Sequence, residues 1–122
     1  MVIPQSKPMR WIGSTLDDLR KFPDEVKEVI GHALRAAQLG GKHQNARPLR
    51  GFHGAGVLEV IDDFDGDTYR AVYTIRFAGV VYGLHAFQKK SKKGIETPKS
   101  DIDLVKQRLK VAAEDYKAIR RG

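Results

Sequence analysis

A chain of 122 residues, 41% hydrophobic and 30% charged, can bury one modest core, so a single domain over residues 1–122 is expected. It contains no cysteine, which excludes disulfides, thiolate metal sites and thiol nucleophiles and agrees with a reducing compartment. With no apolar run of about 18 residues and no charged-then-apolar leader, the chain reads as cytoplasmic and not membrane-bound, and its net charge of +7 points to a polyanionic partner.

In chain order, Met9 to Ile12 form a short apolar run closed by Gly13, which predicts a brief strand. Ser14 followed by Asp17 resembles a helix start with an acidic first turn, giving a short helix to about Lys21. Pro23 then stands before Asp24 and Glu25, and Val26, Val29, Ile30, Ala33, Leu34 and Ala37 recur at helical spacing until Gly40 and Gly41 stop the pattern. Lys42 to Gly56 is polar, glycine-rich and without period, hence a loop.

Val57–Phe64, Thr68–Phe77 and Val80–Phe87 are rich in β-branched and aromatic residues and are separated by Asp65-Gly66-Asp67 and Ala78-Gly79, the signature of three antiparallel strands in succession. Pro98 precedes Ser100, a plausible N-cap, and Ile102, Val105, Leu109, Val111, Ala112 and Tyr116 supply the stripe of a final helix. The predicted order is β-α-α-β-β-β-α, an α+β fold with a small antiparallel sheet, helices packed on one face and the other face open.

The charge is unevenly placed. Residues 80–100 hold five lysines and one acid, so more than half of the excess lies around Lys89, Lys90, Lys92 and Lys93. A polyphosphate partner explains such a field, and so does a solvated lysine turn. Strand alternation groups Thr68, Arg70, Val72, Thr74 and Arg76 on one side. Arg70 and Arg76 then either project from the open face toward a phosphate or pair across strands with Asp62, Asp63 or Glu59. Alternation also places His85 with Val81, Gly83 and Phe87, either as an acid–base group or as a histidine buried in the sheet. The histidines show no metal-ligand spacing and no glycine-rich phosphate loop leads a strand into a helix, so neither metal nor cofactor is expected.

The segment Leu58 to Pro98 is similar to the RelE/ParE toxin superfamily, particularly its phage-derived HigB-like branch. The likeness rests on Leu58-Glu59 in the first hairpin strand, on Tyr69, Arg70 and Tyr73 in the second, on Leu84 to Ser91 leaving the third, and on Thr97-Pro98 before the last helix. It implies a toxin of a type II toxin–antitoxin pair, held in check by an antitoxin of helix-turn-helix type and cleaving messenger RNA at the ribosome without a metal. The resemblance carries catalytic roles to Arg70 and to Lys89 or Lys90; His85, a side chain of the type that titrates near neutral pH, is the acid–base candidate, and Arg47, Arg50, Arg76, Lys92 and Lys93 are RNA-contacting candidates. Two departures stand out: Ile61 replaces an arginine usual in that branch, and Lys92 to Glu96 lengthen the basic loop. A gyrase-poisoning toxin of the ParE kind and a non-catalytic RNA-binding relative are the competing readings.

Overall fold

The sharpest local signal is Asp65-Gly66, whose φ values of 51° and 86° make the two-residue mirror-image turn that matches strand twist. It joins β3 (Val57–Phe64) to β4 (Asp67–Thr74) with Phe64 opposite Asp67. The computed structural model describes residues 6–53, 56–89 and 97–122. Its remaining elements are β1 (Met9–Trp11), α1 (Thr15–Arg20), α2 (Asp24–Gln38), β2 (Ala46–Pro48), β5 (Val81–Lys89) and α3 (Lys99–Arg121).

The architecture is α+β, with one five-stranded sheet in the order β1-β5-β4-β3-β2. Three features differ from the sequence expectation. The loop after α2 contributes β2, which pairs antiparallel with β3. β1 runs parallel to β5, so the sheet is mixed. The helices also divide between the two faces. Val26, Ile30, Ala33, Leu34 and Ala37 of α2 pack with Leu58, Val60, Tyr69, Ala71 and Tyr73, whereas Val105, Leu109 and Ala112 of α3 pack with Val72, Tyr82 and Leu84. A sheet with an apolar residue set on each side needs cover on each side.

Smaller boundaries also shift. β4 stops at Thr74, because the hydroxyl of Thr74 accepts the Arg76 amide at 3.1 Å and the Ile75 amide donates to the Gly56 carbonyl at 2.9 Å, closing the ladder before Phe77. Pro98, with φ −55° and ψ 148°, caps α3 in place of Ser100. Val111 lies off the helical stripe and is exposed.

The sheet holds α3 through a polar clamp. Asp115 accepts Arg10 Nε at 2.6 Å and Nη2 at 3.0 Å, and the buried Tyr82 hydroxyl at 2.7 Å. Hydrogen bonds from Arg10 and Tyr82 hold the Asp115 carboxyl below the usual carboxylate range. Burial, then the bond to Asp115, pushes the Tyr82 phenol up to about 12. Next to the clamp, Gly83 leaves room for Trp11, whose ring would stand 2.5 Å from a Cβ at that position.

Candidate nucleic-acid interface

Register decides which side chains meet. Among the residues of β3 and β4 on the α3 side are Glu59 and Arg70, in adjacent rows: Glu59 is opposite Val72, and Arg70 is opposite Ile61 and Phe87. On β5 the ladder jumps from Val72–His85 to Tyr73–Gly83, leaving Leu84 as a bulge. The extra residue changes the phase of alternation. Val81 stays in the α2 core, while His85 turns to α3, so these two do not share a face as simple alternation predicts.

Arg70 is only 2% exposed and Glu59 1%. Arg70 Nη1 lies 3.4 Å from Glu59 Oε2, a long ion pair completed by a hydroxyl: Thr97 Oγ1 donates to Glu59 Oε2 at 2.6 Å and accepts Arg70 Nη1 at 3.0 Å. On the other carboxylate oxygen, Oε1, Arg47 Nη2 approaches to 3.5 Å from the opposite position on β2. The expectation that Arg70 projects from an open face is therefore corrected. The α3 layer covers that face, and the pairing with Glu59, the competing reading, is the one observed. Burying two opposite charges together avoids the larger cost of burying either alone.

Beside this cluster opens a cleft of about 360 Å³, lined by Arg47, Pro48, Leu49, Arg50, Gly51, Glu59, Thr97 and Ile102. Arg47 and Arg50 form an exposed cationic rim, the aliphatic residues form walls, and the Glu59 carboxylate lies at the floor. Guanidinium forks at the mouth of a partly apolar groove suit a phosphate outside and a flat base within.

His85 is 7% exposed. Its Nε2 is 2.7 Å from Asp101 Oδ1, Arg108 Nη1 stands 3.5 Å from its Nδ1, and its ring stacks on Phe87 with centroids 4.7 Å apart. Because Asp101 only accepts and arginine only donates, a neutral ring carries its proton on Nε2. Arg108 also donates to the Leu84 carbonyl at 2.9 Å, which fixes the bulge. The alternatives left open for His85 are thus narrowed to a buried, oriented imidazole two strands away from Glu59, roughly 10 Å across the sheet.

The other candidates divide. Lys89, half-buried at the end of β5 and opposite Thr68, shares the α3 side of the sheet with Arg70. Arg76 is exposed beyond β4 and does not line the cleft. Lys90, Lys92 and Lys93 lie outside the described residues. Tyr73 and Tyr82 are 1% and 0% exposed, so neither offers a stacking surface. Among the described residues, no group of three or more histidine, cysteine or acidic side chains could hold a metal ion.

Sequence reading missed Thr97, Asp101 and Arg108 as site residues. Thr97 was visible only as part of a helix-start signal, and nothing in the linear pattern joins Asp101 and Arg108 to His85, because the bulge brings them together.

A family model described as Phage derived protein Gp49-like (DUF891) matches residues 17–110. This span includes α2, every strand but β1, and most of α3. No curated protein and no solved structure gives a significant match.

Proposed function

Since the chain belongs to the phage-derived Gp49-like family, a family related to the toxins of toxin–antitoxin pairs, we propose that it is the toxin of a type II pair, of the HigB-like branch, cleaving messenger RNA at the ribosome until an antitoxin binds it. The observation that carries the RNA-directed part is the cleft: two exposed arginines at its rim, a carboxylate at its floor, and Thr97, where the chain returns from the basic segment, in its wall.

In this reading a ribose 2′-hydroxyl attacks the neighbouring phosphorus, the P–O5′ bond breaks, and protons leave the 2′-oxygen and reach the 5′-oxygen. Arg47 and Arg50, with Lys89 and Lys90, are the cations for the developing phosphorane charge. Glu59 is the proton acceptor, and the 5′-oxygen takes its proton from water, because His85 lies about 10 Å across the sheet with its N–H directed at Asp101. Arg70 is a positioning residue: with Thr97 it holds the Glu59 carboxylate from beneath. Arg76, Lys92 and Lys93 are candidates for contacts to flanking nucleotides.

A second reading, RNA binding without cleavage, is favoured by one observation. The arginine to which the resemblance gives the catalytic role is enclosed by Glu59 and Thr97.

Inducible expression together with incubation of the purified chain with ribosomes and messenger RNA separates the readings. Growth arrest with ribosome-dependent cuts supports the nuclease, and RNA binding without cuts supports the second reading. Arrest with stalled DNA breaks would overturn both in favour of a gyrase target. Arg47→Ala with Arg50→Ala should lower the slope of log affinity against log salt by about 1.4 for single-stranded RNA.

A further inference from the structure

We infer that the outward face of α3 binds the phosphate backbone of double-stranded RNA, on a surface separate from the cleft; the choice of RNA rests on the functional reading above. Lys106, Lys110, Lys117 and Arg121 are all exposed. At 100° per residue they fall within about 60° of one another around the helix, and at 1.5 Å per residue the row is about 22 Å long.

Several observations set this row apart from an ordinary solvated face. The helix carries four acids, and each is already engaged: Asp101 by His85, Asp103 by Lys99, Glu114 by Lys117 and Asp115 by Arg10. Among the described residues, Lys106, Lys110 and Arg121 have no such partner. Lys106 and Lys110 stand four residues apart, where like charges repel and weaken a helix. The macrodipole favours cations in the last turn, which accounts for Arg121 and Lys117 but not for the mid-helix lysines. Lys117 is shared with Glu114, and the intramolecular charge pattern leaves Lys106, Lys110 and Arg121 along one line without an acidic partner among the described residues.

A rigid 22 Å row fits a rigid ligand. Double-stranded RNA holds its phosphates in two fixed rails that flank each groove, so a straight helix laid across a groove sets cations against both rails without ordering a flexible chain. The cleft, concave and partly apolar, suits an unstacked single strand instead. The two surfaces thus divide the tasks of gripping structured RNA and receiving the strand to be read.

The test uses a triple variant, Lys106→Gln, Lys110→Gln and Arg121→Gln, of the full chain, with a 24-base-pair mixed-sequence RNA duplex and a single-stranded RNA as probes. All three sites are exposed, so circular dichroism should match the parent and Tm should be no lower, since the variant also removes like-charge repulsion. Expected is a fall of about 3 in the salt slope for the duplex with little change for the single strand. The Arg47→Ala, Arg50→Ala variant should show the reverse. An unchanged duplex slope in the triple variant would overturn the inference, as would tighter binding to a DNA duplex of the same sequence. If the parent chain binds single strands but no duplex, the inference falls and the functional reading stands. If it binds neither, both fall.

Discussion

Arg70 shows how a residue can be legible in identity yet misread in environment. Its place on the α3 side of β4 follows from alternation, but its burial depends on α3 and on Thr97, which lies 27 positions away in the chain. The same geometry sets its energetics. Arg70→Ala should leave the Glu59 carboxylate without its buried guanidinium partner, only the exposed Arg47 remaining on Oε1, and destabilise the fold by about 3 kcal/mol, read as a lower urea midpoint. Lost growth inhibition in that variant would then report unfolding as much as chemistry. The apolar double replacement Glu59→Leu with Arg70→Met should recover most of the stability, since it removes both charges together. A single variant as stable as the parent would show that the pair is not buried as described. Gly83 is the other decisive single position: Gly83→Ala drives a methyl group into the Trp11 ring and should cost about 1–3 kcal/mol, seen as a lower Tm. Nothing in the sequence marks Gly83, because the clash partner comes from the parallel strand β1.

Elements were more legible than their faces. The periodicity of α2 and the three hairpin strands read directly, with Val57–Phe64 matching β3 at both ends. β2 escaped notice because three residues are too few to show alternation, and Pro48 argues against a strand except at a sheet edge, where β2 lies. The attachment of α3 yields a pH prediction. Native Tyr82 keeps its proton to about 12, whereas an unfolded tyrosine loses it near 10, so the stability tied to this proton is complete below pH 10 and drains away as pH rises to 12. Asp115, held low by Arg10 and Tyr82, works in the opposite sense. Its contribution is present above about pH 4 and lost as pH falls below that. Tyr82→Phe should cost about 1 kcal/mol at neutral pH and flatten part of the alkaline loss, measured as urea midpoints from pH 8 to 12. An alkaline limb as steep as the parent's would sink the assignment.

At the scale of the whole molecule, a sequence can announce that a sheet needs cover but not how few helices will provide it. Tyr69, Ala71 and Tyr73 against Val72 alone made one apolar face look dominant, and only the long-range packing of Val105 and Leu109 reveals the second. The net charge of +7 acts at this scale too. Repulsion among the surface cations lowers the stability of the compact state, so raising NaCl from about 50 to 300 mM should raise the Tm of the free chain while weakening any RNA complex. A Tm that falls with salt would show that attractive pairs outweigh the repulsion.

The clamp between Arg10 and Asp115 spans 105 positions, and among the described residues β1 pairs with β5 alone. During synthesis the first strand must therefore wait, unpaired, until β5 and α3 have emerged from the exit tunnel.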